Sequence, residues 1–330
     1  MSETTEAAPR ARVGVREVAA AAGVSTQTVS RVINDHPHIR PETRERVEVA
    51  MAELGYRVNN AARALGTATT RTIGVLASDS DLFGPAAGIA ALEAAARVTG
   101  RWISTAYADG ADTDAVVAAA EHLLVQGVDG IVVVAPHAGT LDQLAAAKLG
   151  VPLVSLHGDA SGQSAAIALA VDHLVEQGHR RIAHLSGPGA WVEAAARAGG
   201  VTAALARHGL EPGGVWEGDW SARSGAALAA PIADALRTPD APTAIVAGND
   251  QMALGLVAGL DALGIRVPED VSVTGFDDNP DAAFYRPALT TVRLDVAGEA
   301  RRCIEALTSG GAAPAAAEAR LVVRASTARA

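Results

Sequence analysis

From Thr72 onward, short β-rich apolar runs alternate with alanine-rich stretches of helical spacing, and this alternation limits the possible folds more than any other feature. TIGVLA (72–77), WISTAYA (102–108), GIVVVA (130–135), VPLVSL (151–156), RIAHLS (181–186), AIVAG (244–248), VSVTGF (271–276) and LTTVRL (289–294) are predicted strands. Residues 85–99, 113–126, 190–208, 221–236 and 251–263 are predicted helices, and a last short strand is expected at 321–324. Apolar strands separated by helices imply parallel sheets covered by helices on both faces. In such sheets a ligand sits beyond the carboxyl ends of the strands.

The residues at those ends are polar. Ser78 follows TIGVLA, Asn249 follows AIVAG, and Asp277 and Asp278 follow VSVTGF; Arg197 lies on the helix after GHRRIAHLSGP, and Trp220 follows VWEGD. A carboxylate accepts hydroxyl hydrogens, an asparagine donates and accepts, a guanidinium fork bridges adjacent hydroxyls, and an indole covers the apolar face of a ring. The set suits a sugar. Plainer roles compete at each position: turn capping for Asp277 or Asn249, a salt bridge for Arg197, core filling for Trp220.

Residues 15–34, VREVAAAAGVSTQTVSRVIN, carry a different signal. Val15, Val18, Ala19 and Ala22 share a helical face, Gly23 breaks that helix, and Val29, Val32 and Ile33 give a second short helix its own apolar face. Ser25 is placed to cap the second helix, which leaves Thr26, Gln27, Ser30 and Arg31 facing outward. Glutamine pairs with adenine, arginine with guanine, and threonine with a base edge or a thymine methyl in the major groove. A third helix follows His38 and Arg40 over residues 41–54, with Val47, Ala50, Met51 and Leu54 as its apolar stripe and Gly55 as its end.

The charge distribution agrees. Over 330 residues the net charge is −10, yet residues 10–66 hold nine arginines against six acids. That local surplus suits base reading supported by a limited set of phosphate contacts. With 49% hydrophobic residues a large core is available, and the length suggests two or three domains. Residues 1–12 are polar, without the apolar core of a signal peptide, and no run is long enough to cross a membrane, so a cytoplasmic location is expected. Cys303 is the single cysteine and reads as a packed thiol; no metal site and no cofactor are expected.

EVAAAAGVSTQTVSRVIN, TRERVEVAMAELGYRVNNAARAL, GHRRIAHLSGP, GDWSA, AGNDQMALG and VTGFDDNPDAAFYRPALTTVRLD together resemble the lac repressor and galactose repressor family of bacterial transcription regulators, over nearly the whole chain. The resemblance implies a helix-turn-helix DNA-binding domain (13–57), a hinge helix and linker (58–71), and an α/β core (72–330). The core would comprise two doubly wound parallel-sheet subdomains like those of periplasmic binding proteins, facing each other across a cleft. The first would hold about 72–160 and 295–318, the second about 165–292 and 319–330, with three crossings between them.

By the same resemblance, Ser25, Thr26, Gln27, Thr28, Ser30, Arg31, Asn34 and His38 would contact DNA. Asn59, Ala62 and Leu65 would do so in the hinge, with Leu65 wedging between base steps. Asn60, Ala61, Ala64 and Leu65 resemble a hinge helix too short to be stable without a second subunit and the minor groove. Val58 stands where the family usually has proline.

In the cleft, Ser78, Leu82, Pro85, Arg197, Trp220, Asn249, Phe276 and Asp277 match the family's effector pocket. His157 replaces a pocket aspartate, Val134 an asparagine and Val296 a phenylalanine. The stretch from Leu156 to His173 is several residues shorter than usual, and the expectation is that residues 158–164 form no strand and that helix begins near Ser164. That would leave the cleft more open on this side.

The partners implied are a near-palindromic double-stranded operator, a small sugar and a second copy of the chain. The last strand lies close to the end of the sequence, so a dimer is expected, without the leucine-rich tail that joins dimers into tetramers. Two rivals are a transport-type sugar-binding protein, which has no use for VSTQTVSRVIN, and a sugar-processing enzyme. Nothing arranges Asp277, Asp278, His157 and Arg197 as nucleophile, base and orienter, and adjacent aspartates point in different directions on a regular backbone. Residue types leave the operator, the sugar and the direction of the response open.

Overall fold

The computed structural model describes residues 13–34, 36–58, 63, 69–157, 160–309 and 318–330. The chain divides into two compact units, residues 1–70 and 71–330. The hinge residues Asn59, Asn60, Ala61, Ala62, Ala64 and Leu65 lie outside the described residues.

Among the described residues of the first unit are the helices α1 (Val15–Ala22), α2 (Thr26–Ile33) and α3 (Pro41–Glu53). Val18, Val29 and Val47 are fully buried where the three meet, and Ala19, Ala22, Val32 and Ala50 fill the space between them. Such small side chains allow close helix packing. Gly23 ends α1 with φ +62°, a left-handed conformation that favours glycine, and Val24 N–H then closes back on Ala19 O at 3.0 Å. Ser25 Oγ accepts the Thr28 N–H at 3.1 Å, so α2 starts where the sequence places its cap. One expectation fails: Leu54 is exposed, because α3 ends at Glu53 and the turn at Gly55 (φ +62°) brings half-buried Tyr56 to the core instead.

The described residues of the second unit form two sheets. β1 (Thr72–Ala77), β2 (Trp102–Tyr107), β3 (Gly130–Val134) and β4 (Leu153–Ser155) form a parallel sheet in the order β2-β1-β3-β4. The second sheet contains β5 (Ile182–Ser186), β6 (Pro212–Glu217), β7 (Ala244–Ala247), β8 (Ser272–Phe276), β9 (Thr290–Arg293) and β10 (Arg320–Val322), in the order β10-β9-β8-β7-β5-β6. Only the edge strand β10 runs antiparallel. Central β3, β5, β7 and β8 are buried along their whole length, as their unbroken apolar runs require.

The helices are α4 (Phe83–Val98), α5 (Thr113–Val125), α6 (Thr140–Ala146), α7 (Ala160–Glu176), α8 (Val192–Arg207), α9 (Ala222–Ala227), α10 (Ala229–Leu236), α11 (Asp250–Ala262) and α12 (Val296–Ser309). The predicted helix 221–236 is interrupted at Leu228. Pro231 explains the break, since its ring cannot sit over the carbonyl four residues earlier and it has no N–H to continue the ladder. Helices α6 and α12 were not among those predicted.

The shortened stretch also differs from expectation. Helix α7 begins at Ala160, four residues before Ser164, so residues 160–164 are helical and not a bare crossover. Intrinsic propensity disfavours helix in ASGQS, but α8 supports it from outside. Ser164 Oγ donates to Ala196 O at 2.7 Å, and a Cβ at Gly200 would lie 2.5 Å from Ser164 O. The two helices meet backbone to backbone there.

Both sheets contain a point where the strand order reverses, between β1 and β3 in the first and between β5 and β7 in the second. These points leave a crevice beyond the strand ends. At the second, Gly187 and Gly248 follow β5 and β7, and Cβ atoms there would lie 2.1 Å and 3.0 Å from the Trp220 ring. The indole occupies the space that side chains would otherwise fill.

Candidate functional site

On α2, Thr26, Gln27, Ser30 and Arg31 are exposed on the face opposite Val29 and Val32. Thr28 is half-buried, with its Oγ1 2.9 Å from Ser25 Oγ, and His38 is exposed. Asn34 caps the far end, its Nδ2 donating to Ser30 Oγ at 3.4 Å. A short, firmly capped helix thus presents one amide, one guanidinium and two hydroxyls outward.

The second candidate site is a cleft between the two sheets, enclosing about 690 Å³ of empty space including its mouth. The start of α4 supplies Leu82, Phe83 and Pro85; the end of β3 supplies Val134 and Ala135; Leu156 and His157 follow β4. The opposite wall carries Trp191, Glu193, Arg197, Trp220, Asn249 and Asp277, and Leu294 and Val296 flank the later crossing. Among the described residues, eight other than glycine have positive φ, and Ala135, His157, Trp220 and Asp277 line this cleft. Such backbone strain gathers at functional sites because the surrounding packing holds it there.

Arg197 is the centre of the polar wall. It is buried; its Nε donates to Gln163 Oε1 at 2.8 Å, its Nη1 to Gly248 O at 2.6 Å, and its Nη2 lies 3.6 Å from Asp277 Oδ1. The guanidinium sits 3.9 Å above the Phe276 ring and 5.3 Å from that of Trp220. Burial pushes the Asp277 carboxyl up to about 6, against the opposing pull of Arg197. Burial, then the charges of Arg197 and Arg302, hold the His157 imidazole down to about 4, so it is neutral at pH 7.

The adjacent aspartates do diverge. Asp277 turns to Arg197, whereas Asp278 is buried between Arg293 and Arg324 and belongs to the framework. Asp250, at the start of α11, accepts from Thr291 Oγ1 at 2.6 Å and from Asn279 N–H at 2.7 Å, and burial with the Asp277 charge pushes it up to about 8. Among the described residues no cluster of His, Cys, Asp or Glu is arranged to hold a metal ion, and no helix is long and apolar enough to cross a membrane.

Two family descriptions match the chain, "Bacterial regulatory proteins, lacI family" over residues 15–59 and "Periplasmic binding protein-like domain" over residues 171–327. The lactose operon repressor of Escherichia coli K12 is 38% identical over 295 residues, covering 86% of this chain and 80% of that protein. The chain belongs to the lacI family of bacterial regulatory proteins. The HTH-type transcriptional regulator CelR of Thermobifida fusca is 35% identical over 305 residues, covering 86% and 87% of the two chains. Among solved structures, the lac repressor dimer bound to operator and the anti-inducer ONPF is similar with a TM-score of 0.82 and 34% identity over 96% of this chain and 99% of that one. A CelR–cellobiose complex gives 0.67 and 31% over 96% and 100%. The relatives named here are transcriptional repressors and regulators, which sets aside the enzyme reading.

Within this lacI-family chain, seven of the nine residues expected in the cleft line it: Leu82, Pro85, His157, Arg197, Trp220, Asn249 and Asp277. Ser78 and Phe276 lie behind the lining. Ser78 Oγ donates to Ala135 O at 2.7 Å, tying the ends of β1 and β3 together, and fully buried Phe276 is the platform under Arg197. Asn249 also has a framework role, since its Oδ1 accepts the Met252 N–H at 2.9 Å as the cap of α11 and its Nδ2 donates to Trp220 O at 2.9 Å. It thereby fixes Trp220, whose φ is +72°.

Trp191, Glu193 and Gln163 were missed. Trp191 packs edge-on against Trp220 at 5.8 Å between ring centroids. The spacing Glu193–Arg197, one helical turn, was a usable signal for a shared face; Gln163 had none, lying in a stretch read as non-helical. Beside the cleft, on the side of the shortened stretch, His157 and Leu294 also border a wider groove of about 1540 Å³, lined further by Gln163, Glu299 and Arg302.

Proposed function

We propose that this chain is a transcriptional repressor of carbohydrate-utilisation genes whose operator affinity is controlled by a small sugar bound in the core cleft. The carrying observation is the buried Arg197–Asp277 pair, held over Phe276 beside Trp220 on the wall of the cleft. A neutral polyol suits this wall: Asp277 accepts from hydroxyls, the guanidinium donates to them, and the indole and apolar side chains of Leu82 and Pro85 cover the ring.

On the DNA side, Gln27 and Arg31 read base edges in the major groove, with Thr26, Ser30, Asn34 and His38 around them and Ser25 and Thr28 at the start of the reading helix. Asn59, Ala62 and Leu65 engage the minor groove. Two copies bind as a dimer to a near-palindromic operator, since two-fold symmetry matches the paired half-sites. A protein that works on the chromosome acts in the cytoplasm.

Sugar acts through the equilibrium between subdomain arrangements, by as much as its affinity differs between them. The test is to obtain the operator by in vitro selection, then titrate the DNA complex with mono- and disaccharides, including lactose and cellobiose. A sugar that changes operator affinity supports the reading. Sequence-specific DNA binding indifferent to every sugar overturns its ligand half.

A further inference from the structure

Glu193 is buried on the wall of the cleft, one turn ahead of Arg197 on α8, and its Oε2 has no hydrogen-bond partner. A buried carboxylate oxygen without a partner is costly, and native structures rarely retain one without a use. Arg197 does not supply the missing bond: its Nε and Nη1 donate to Gln163 and Gly248, and its Nη2 faces Asp277. Asp277 and Asp250 are engaged elsewhere, Asp277 facing Arg197 and Asp250 bonded to Thr291 Oγ1 and Asn279 N–H, while His157 and His184 are held neutral by burial. His184 Nδ1 is engaged with Val246 O at 2.9 Å.

The charges around Oε2 restrict what could complete it. Glu193 and Asp277 together disfavour an anion, and Arg197 already supplies the positive charge that both carboxyls face, so completing Oε2 calls for a hydrogen-bond donor and not for a further cation. A neutral donor remains. We propose that Glu193 is a specificity residue of the cleft, accepting a hydrogen bond from one ligand hydroxyl at Oε2, so that the cleft selects a polyol carrying a hydroxyl at that position. This rests on the sugar-binding reading above. A site built to pair a hydroxyl discriminates strongly against the analogue lacking it, because the buried polar group then stays unpaired.

Burial pushes the Glu193 carboxyl up to about 7. Accepting from the ligand favours the ionised form, so binding releases a proton and affinity rises with pH across that range.

Calorimetry with galactose, glucose, lactose and cellobiose, followed by the monodeoxy derivatives of whichever sugar binds, tests the assignment on the full-length protein. One monodeoxy derivative should bind the parent at least tenfold more weakly than the parent sugar, yet within about twofold of it on Glu193→Ala. Glu193→Gln, which keeps an acceptor, should retain most of the discrimination and lose most of the rise in affinity between pH 6 and 8, leaving the small part near pH 6 that belongs to Asp277. Thermal unfolding of each variant establishes that it is folded. If folded Glu193→Ala ranks every derivative as the parent does, the assignment is overturned while sugar binding stands. If none of the four sugars binds, the sugar-binding reading and this assignment fail together.

Discussion

Gln163 Oε1 accepts the Arg197 Nε–H at 2.8 Å, joining the first turn of α7 to the helix that carries the main cation of the cleft. The bond exists only because α7 starts at Ala160, so the shortened crossover contributes directly to the orientation of Arg197. Gln163→Ala should lower affinity for the effector sugar about three- to tenfold, in line with the roughly 1.5–3 kcal/mol of hydrogen bonds to charged groups, discounted for the bond that Arg197 keeps to Gly248. Calorimetry measures this; unchanged affinity would mean that Gly248 O and Phe276 suffice to hold the guanidinium.

Asp277→Ala removes a charge-assisted acceptor and should weaken sugar binding at least tenfold. If the sugar is an inducer, the variant should hold the operator at sugar concentrations that release the parent. Sugar calorimetry and a DNA-release titration on the same variant decide the point, and parental sugar affinity would make Asp277 a turn residue closing β8.

Gly187→Ala places a methyl 2.1 Å from Trp220 Cζ2. The indole cannot yield easily, being fixed through the bond from Asn249 Nδ2 to Trp220 O and packed against Trp191. Overpacking of this kind costs about 1–3 kcal/mol. The variant should therefore lose stability in denaturant titration and show altered tryptophan fluorescence, with weaker sugar binding in parallel.

Gln27→Ala should cost about 1–3 kcal/mol of operator affinity and relax preference at one base pair per half-site. Binding-site selection with the variant tests this. A uniform loss across all sequences would identify Gln27 as a phosphate contact.

Stability should fall between pH 6 and 8. Glu193 at about 7 and Asp250 at about 8 hold their protons more tightly in the folded chain than unfolded carboxyls do near 4, so folding favours their protonated forms and the advantage is lost as pH rises through the folded values. His157 and His184, pushed down to about 4, act oppositely, and only below about 6.5. Melting temperatures across this range should decline for the parent and decline less for Glu193→Gln. Equal slopes would assign the effect to Asp250 alone.

The sequence by itself determined what depends on local pattern. The apolar runs specified the parallel strands other than β6, because strands covered on both faces must be apolar throughout, whereas β6 is a partly exposed edge strand without such a run; Gly23 marked the end of the first helix and Ser25 the start of the second, through backbone conformation and capping. Residues at strand ends pointed to the cleft, because parallel topology brings strand ends together wherever the order reverses.

Tertiary structure decided the rest, since it depends on residues far apart in the chain. ASGQS is helical because α8 lies against it through Gly200, against its own propensity. Ser78 and Phe276 carry the expected chemistry but sit behind the lining, because side-chain direction at a strand end follows from what packs over it. The spacing of Glu193 and Arg197 offered a shared helical face, but only folding buried Glu193 on the cleft wall and left its Oε2 unpaired, a question of partners that no local pattern answers.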